Sequence, residues 1–564
     1  MDWKKEGRSA FWLAVLFLAV FLFLGAGKIF NHQLTHPSPT GMMAADAFTH
    51  NWVAQNVYDT QYIDRPPDYA FSSRAEAEKN AGGYKLFHPP VLPLLTASLA
   101  QLSGLNLYDV NIIFVFLFIV LMVVLSYFIL ARFNETIALF SLPLALLFLQ
   151  RKFFISLSWG WWDFITGELF LFAIILLLLA EKFPLRYLFT AVLITAAFMS
   201  HGVETIYATV FIVILLVFIF LLERKEFKGI FWEQLKAAAV ALVIIVYPLN
   251  LFLNTWSKIG GSQILSMGYS EFMATHGSNY FIFFSEFAGF RILIIAGLLL
   301  AGYFFARKKS ALLSYYLFVV FMSLTPYLYF TTGERSFQWR FLWPIYLSVA
   351  LGAAVYAIYL LSKKVVPSAA AHFAKPAMFI ILSGIFIWLV LPLPFQGAGL
   401  VDAKDYASYT WTQQNTGIYN KFLILYSPIN DQISRLYLLE RDMFISTAES
   451  WNAMQLGNSK LEILKDYNHA GFFCKDEACP FFGESQFTQE LEKTKSAYFK
   501  NLSICQMDYI YLPLKSQQEI FNKNVQYLQY LVQNNITQIV FQNEAAVIGK
   551  NILKGEACES RFKQ

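Results

Sequence analysis

Ionisable side chains inside apolar sequence are the residues most able to do chemistry, because each is costly at membrane depth and is retained there for a function. Asp46 and His50 lie in Gly41-Met42-Met43-Ala44-Ala45-Asp46-Ala47-Phe48-Thr49-His50. Their i, i+4 spacing puts them on one face of a helix. Asp163 and Glu168 lie in Trp161-Trp162-Asp163-Phe164-Ile165-Thr166-Gly167-Glu168. His201 and Glu204 flank Gly202, and they share a face if a helix continues through that glycine. Glu334, Arg335 and Arg340 precede an apolar run, and His88 stands before Pro89-Pro90. A carboxylate in such a place can take a proton from an attacking hydroxyl or hold a cation. An arginine fork matches the oxygens of a phosphate. The set suits a cavity that holds a phosphate-bearing lipid.

Each residue also has a plainer reading. Asp46 could cap a helix. Asp163 and Glu168 could pair with Arg151 or Lys152, and His201 could be a hydrogen-bonded turn residue. Arg335 and Arg340 could snorkel to an interface. The functional reading gains from coincidence: acidic and imidazole groups from three separate connections, with two arginines, converge on one predicted membrane face.

The elements that must position these groups are membrane helices. Of 564 residues, 57% are hydrophobic and only 14% charged, and the mean hydropathy is +0.48. An ordinary soluble chain carries roughly 25% charged residues. A soluble multidomain protein, a disordered chain, a collagen-like repeat and a small disulfide scaffold are all excluded. Eleven apolar stretches lie near 10–30, 109–132, 135–150, 162–181, 185–201, 203–223, 235–254, 289–306, 310–330, 340–361 and 374–395. They run continuously and do not alternate, which argues for helices over a β-barrel. The expected fold is a polytopic α-helical membrane protein of about eleven transmembrane helices with a C-terminal extracytoplasmic α/β domain.

Lys and Arg in short loops set the orientation. Lys4, Lys5 and Arg8, Arg132, Lys182 and Arg186, Arg224 to Lys236, Arg307 to Lys309, and Lys363 to Lys375 fall in every second connection. The amino terminus is then cytoplasmic, and eleven crossings leave the carboxyl terminus outside. Arg151, Lys152, Arg335 and Arg340 break the pattern, which marks them as needing a reason. The small-residue patch Gly25-Ala26-Gly27 leaves open a cleaved signal peptide in place of the first span. The transmembrane domain spans 1–399, with long outer loops at 31–108 and 255–288. The prolines of Leu86-Phe87-His88-Pro89-Pro90-Val91-Leu92-Pro93 suit the start of a helix lying at the outer interface. A twelfth span is the alternative there, and it would break the charge alternation.

Residues 400–564 have soluble composition. They hold 16 Lys+Arg and 18 Asp+Glu, a balance of −2, against 27 and 20, a balance of +7, before them. Strand-like runs at 422–426, 509–512 and 539–541 alternate with helical periodicity at 486–500 and 517–533, which predicts one α/β domain. All four cysteines, Cys474, Cys479, Cys505 and Cys558, lie here. Two disulfides in an oxidising compartment are expected, with three pairings open. A zinc site is the rival, although the C-x4-C spacing of Cys474 and Cys479 is atypical. Asn501-Leu502-Ser503 and Asn535-Ile536-Thr537 are sequons, a weak signal. No basic run of the kind that binds nucleic acid occurs.

The Asp46–His50 loop, the segment Phe87-His88-Pro89-Pro90-Val91-Leu92-Pro93-Leu94-Leu95, the turn Ser200-His201-Gly202-Val203-Glu204-Thr205 and the segment Arg340-Phe341-Leu342-Trp343-Pro344 resemble the pattern of type C glycosyltransferases. So does the order of many spans followed by an outer α/β domain. The resemblance implies transfer of a sugar from a polyprenyl-phosphate or polyprenyl-diphosphate carrier at the non-cytoplasmic face. Oligosaccharyltransferases and protein O-mannosyltransferases are branches of that superfamily. The partners implied are the lipid-linked sugar donor, membrane lipid, and a glycan, lipid or protein acceptor. By this resemblance Asp46 is the first-loop catalytic or metal-binding carboxylate, with His50 beside it. Asp163 and Glu168 stand near the second acidic motif. Arg335 or Arg340 holds the carrier phosphate, with His201, Glu204 and His88 as further substrate-binding candidates. Asp163 and Glu168 are five apart, whereas the oligosaccharyltransferase motif is Asp-x-Glu, so a divalent metal cofactor stays open. The Trp161-Trp162-Asp163 triplet falls in the membrane half, and no such run follows residue 400, so transfer to protein sequons is not implied. A lipid or polysaccharide transporter or flippase, and a non-catalytic membrane scaffold, are the alternatives from other classes.

Overall fold

Long runs of Leu, Ile, Phe and Val without charges satisfy their backbone groups internally as helix when no water is near. In the computed structural model each of the eleven apolar stretches is mainly helical over its described residues. The structure describes residues 3–33, 45–61, 89–150, 153, 157, 160–180, 183–259, 290–306, 310–325, 341–365, 368–391, 403–425, 441–445, 459–464, 499–514 and 518–562. The chain divides into two units, residues 1–31, 87–157 and 161–396 in the first and residues 32–86, 158–160 and 397–564 in the second.

The first helix, α1 (Trp3–Gln33), is followed in the chain by α2 (Ala45–Thr60), whose residues belong to the second unit. The first unit continues with α3 (Val91–Ser103), α4 (Leu107–Ala131), α5 (Glu135–Ser141) running into a 3-10 helix (Leu142–Leu149), α6 (Trp162–Leu178), α7 (Arg186–Ser200) and α8 (Gly202–Leu222). Then come α9 (Arg224–Ile259), α10 (Arg291–Ala306), α11 (Ser310–Leu324), the single turn α12 (Trp343–Tyr346), α13 (Ser348–Val365) and α14 (Ser368–Val390). Six helices among the described residues are long and apolar enough to cross a membrane, within Ser9–Ile29, Leu107–Ala131, Gly202–Leu222, Arg224–Leu251, Trp343–Val365 and Phe373–Val390. The others are shorter, such as α6 with 17 residues and α7 with 15. The proline-led segment before α4 is helical over only 13 residues, starting after Pro90 and stopped by Gly104 at φ +71. At 1.5 Å per residue that is roughly 20 Å, shorter than the ~30 Å hydrocarbon layer.

Between apolar helices in lipid, close packing depends on small residues. A Cβ on Gly297 of α10 would sit 2.0 Å from the Ala350 carbonyl oxygen of α13, and one on Gly352 would sit 2.5 Å from the Ile137 oxygen of α5. Gly25 of α1 lies under the Phe116 ring in the same way. Pro143 opens the 3-10 segment, where its missing N–H ends the α pattern of α5.

Polar contacts define two opposite ends of these helices. At one, Arg132 Nη1 donates to the Leu179 carbonyl at 3.0 Å, and Arg186 Nη1 donates to the Ala180 carbonyl at 2.9 Å. Arg186 Nε also donates to Glu233 Oε1 at 2.7 Å. At the other, Lys28 Nζ donates to the carbonyls of Leu149 at 2.6 Å and Val390 at 2.8 Å. One ammonium thus closes the C-terminal ends of the 3-10 helix and of α14, where unpaired carbonyls and the negative dipole end favour a cation. Asp163 begins α6 and His201 follows α7, so both lie at the end away from Arg132 and Arg186.

Among its described residues the second unit holds α2, α15 (Ala403–Asn415) and seven strands: β1 (Lys421–Ile424), β2 (Asp442–Ile445), β3 (Lys460–Leu464), β4 (Phe499–Ser503), β5 (Tyr509–Pro513), β6 (Thr537–Gln542) and β7 (Ala546–Asn551). Helices α16 (Gln518–Gln533) and α17 (Gly555–Phe562) also belong to it. The five-stranded sheet runs β2-β1-β5-β7-β6, with β2, β1 and β5 parallel and β7 antiparallel to both neighbours. Tyr511 stands opposite Ile424 on one side and Ile548 on the other. Leu423, Ile510, Leu512, Tyr527 and Leu531 are buried in its core. The strand-like runs at 422–426, 509–512 and 539–541 fall on β1, β5 and β6. Of the helical periodicity expected over 486–500, Phe499 and Lys500 are strand, paired with Leu464 and Ile463, and the rest lies outside the described residues. Cys505 and Cys558 form a disulfide that ties the turn after β4 to α17. Cys474 and Cys479 lie outside the described residues.

Candidate active site

One face of α6 organises the buried polar groups of the first unit. Phe164, Glu168 and Phe172 recur every four residues, so they line a single stripe. Entry into α6 is fixed by Trp162, whose indole nitrogen donates to the Leu157 carbonyl at 2.7 Å. Trp161 beside it packs edge-on against Phe341 with ring centroids 4.6 Å apart. Asp163, in the first turn of α6, is buried, and an acidic group there complements the positive helix start.

Glu168 is wholly buried and accepts a hydrogen bond from the Tyr346 hydroxyl at 2.6 Å. Buried charge is tolerated only with such partners. Tyr346 is placed by the α12 turn, which Pro344 starts and which Trp343 anchors by donating from Nε1 to the Ser323 carbonyl at 3.1 Å. The Tyr346 ring lies 5.3 Å from Phe172, one turn along α6 from Glu168.

Glu204 is the second wholly buried carboxylate. Its Oε2 lies 2.6 Å from His201 Nδ1. The helix breaks at His201, and Gly202 opens the next one. His201 is extended, with φ −161 and ψ 110, and serves as the residue before α8, while Glu204 sits in the first turn of that helix. The pair forms across a helix start, in the relation of a cap to its third residue. The His201 ring meets Phe164 edge-on at 6.1 Å. Room for Glu204 comes from Gly167, where a Cβ would lie 2.8 Å from Glu204 Oε2. Glu168 and Glu204 are therefore neighbours, each engaged by a different partner.

Asp163, Glu168, His201 and Glu204 are thus gathered at one end of the first unit. Asp46 and His50 both lie in α2, with the helical spacing expected; the His50 side chain is partly buried, and the Asp46 side chain lies outside the described residues. His88, Arg151, Lys152, Glu334, Arg335 and Arg340 also lie outside the described residues. Among the described residues no three His, Cys, Asp or Glu are grouped to hold a metal ion. Sequence reasoning missed Tyr346, Gly167 and Lys28. A signal for Tyr346 was available, since a carboxylate deep in an apolar run requires a donor from another segment.

No family model and no curated protein matches the sequence. Two solved structures of ArnT from Cupriavidus metallidurans match the fold. The one bound to undecaprenyl phosphate aligns over 96% of this chain and 99% of that chain, with a TM-score of 0.54 at 12% identity. The apo structure aligns over 97% and 99%, with a TM-score of 0.54 at 13% identity. The chain is a helical membrane protein with an ArnT-like fold.

Proposed function

We propose that this chain is a membrane glycosyltransferase that moves a sugar from a polyprenyl-phosphate carrier to an acceptor at the extracytoplasmic face. The observation that carries the proposal is the pair of buried carboxylates, Glu168 and Glu204, set with Tyr346 and His201 at the end of the helices opposite Arg132 and Arg186. Its fold neighbour binds a polyprenyl phosphate, which supports the same class of donor here. In this reading all eleven apolar helices cross the membrane, the Arg132–Arg186 end is cytoplasmic, and residues 400–564 form a domain outside. The Cys505–Cys558 disulfide favours that side, since such bonds persist in oxidising compartments.

The chemistry follows from the groups proposed for the site. A base, Asp46 assisted by His50, takes the proton of the acceptor hydroxyl. The acceptor oxygen bonds to the sugar anomeric carbon as the carbon–oxygen bond to the carrier phosphate breaks. The phosphate departs with the electron pair, and Arg335 and Arg340 stabilise its charge. Asp163 and Glu168 orient the sugar and acceptor, while His201, Glu204 and His88 line the donor.

The test uses purified protein in lipid nanodiscs with a polyprenyl-phosphate sugar labelled in the sugar, and a mixed acceptor pool. Wild type should release free polyprenyl phosphate, and Asp46→Asn should lose ~10²–10⁴ of turnover with its thermal stability near wild type. Labelled lipid that crosses a bilayer intact would instead indicate a flippase. Full transfer by Asp46→Asn and by Glu168→Gln would refute the assigned site.

A further inference from the structure

We infer that Tyr346 is a positioning residue for Glu168, fixing the direction in which that carboxylate faces the sugar-transfer site. The inference rests on the glycosyltransferase reading and deepens it by a residue outside the sequence pattern that suggested it.

The geometry constrains both partners. Glu168 has three rotatable side-chain bonds, so an unaided carboxylate would sample several directions. Tyr346 removes that freedom. Its hydroxyl donates to Glu168 Oε2 at 2.6 Å, a length typical of a bond to a charged acceptor. The tyrosine itself has little freedom: it is wholly buried, and Phe172 holds its ring at 5.3 Å. Its backbone is fixed by the α12 turn and by the Trp343 bond to Ser323. Phe172 and Glu168 are one turn apart on the same face of α6. One tyrosine therefore reads the α6 surface twice, by its ring and by its hydroxyl. The second oxygen of the carboxyl group is then held in a set direction. The bond joins residues 178 apart in sequence, so it registers α6 against the segment that follows Arg340.

A tyrosine needed only for packing would be replaced by phenylalanine at little loss, because the ring is kept. A positioning tyrosine would not. A misplacement of a catalytic constellation by about 1 Å lowers rates ~100-fold. Tyr346→Phe should therefore lower kcat by ~10–100-fold and leave KM for the lipid donor unchanged, in protein that stays folded at the assay temperature although its buried carboxylate has lost one donor. In a Glu168→Gln background the same change should cost almost nothing further, because its target is already lost.

The deciding experiment measures kcat and KM for wild type, Tyr346→Phe, Glu168→Gln and the double variant in nanodiscs, with a polyprenyl-phosphate sugar as donor. Infrared difference spectra of the same four proteins identify the Glu168 carboxylate band as the one absent in Glu168→Gln. That band should shift in Tyr346→Phe. Should Tyr346→Phe fail to fold, Glu168→Asp keeps the charge and withdraws it from the hydroxyl, and should show the same split of kcat from KM. An unshifted band, full kcat in Tyr346→Phe, or an equal loss in both backgrounds would overturn the inference. If wild type transfers no sugar while the band still shifts, the glycosyltransferase reading fails and the Tyr346–Glu168 pairing survives it.

Discussion

Gly167 offers a quantitative test of how the two buried carboxylates are accommodated. A Cβ added there would stand 2.8 Å from Glu204 Oε2, 3.0 Å from its Cδ and 3.1 Å from its Cγ. Ordinary carbon contacts begin near ~3.5 Å, so the Glu204 side chain must retreat by roughly 0.5 Å or more. It is not free to do so cheaply, because His201 holds Oε2 at 2.6 Å. Three terms set the outcome of Gly167→Ala. Helix propensity favours alanine by ~1 kcal/mol. Overpacking costs ~1–3 kcal/mol. Weakening a hydrogen bond to a charged group costs up to ~1.5–3 kcal/mol. The variant should lose about 2 kcal/mol. In a Glu204→Ala background both penalties vanish and only propensity remains, so the same substitution should become stabilising by ~1 kcal/mol. The coupling between the sites is then about 3 kcal/mol and the effect changes sign. Unfolding by SDS titration in mixed micelles, followed by tryptophan fluorescence, measures all four corners of the cycle. Equal destabilisation in both backgrounds, or a neutral Gly167→Ala in wild type, would refute the packing argument. Gly27→Ala, whose Cβ meets nothing within 4 Å, is the control.

Two further predictions concern the second unit. Burial alone would raise the Asp508 carboxyl, but the hydrogen bond from Lys554, the backbone amide of Lys421 and the Asn420 side chain outweigh it and hold it below its ordinary value. The stabilisation this gives is fully present above the unfolded value of ~3.9 and is lost as pH falls on through the depressed native value. The wild-type transition should therefore weaken with acid in that window, and Asp508→Asn should remove that slope; an unchanged slope in the variant would assign it to other groups. The Cys505–Cys558 disulfide closes a separation of 53 residues, so loop entropy predicts ~4 kcal/mol of stabilisation. Cys505→Ser with Cys558→Ser should lower the denaturation midpoint of the second unit accordingly, as read by protease resistance of residues 499–562.

Much of the fold was legible because membrane helices announce themselves one at a time. Each of the eleven apolar runs needs only its own composition to become a helix. Strands β1, β5 and β6 were legible for a related reason, as short apolar runs bounded by polar turns. The candidate site was legible in part: a carboxylate at Glu168 or Glu204 stands out against its apolar neighbours. Its partners were not, because the tyrosine that serves Glu168 lies 178 residues away and looks like any aromatic of a membrane span. His201 and Glu204 were paired by their spacing, yet the spacing works across a helix start and not along one helix. Gly167 matters for what it lacks, and a missing methyl group leaves no pattern in sequence. Phe499 and Lys500 went to β4 because their pairing with β3 outweighs the local helical periodicity.

The bridge made by Lys28 has a bearing on biogenesis. Its ammonium reaches the Val390 carbonyl across 362 positions of sequence, and Phe17 of the same helix meets Phe379 with ring centroids 6.1 Å apart. Helix α1 is therefore completed by α14, which leaves the ribosome long after it. At 5–20 residues per second, synthesis of the intervening chain takes roughly 20–70 s. Through that interval α1 sits in the bilayer with its charge unmatched by its final partners, and it stays available to the insertion machinery or to chaperone helices. A ribosome stalled before α14 emerges would leave a membrane intermediate whose α1 is still detachable. Release of α1 from such nascent chains, as a function of the length synthesised, would trace the moment at which the helical unit closes.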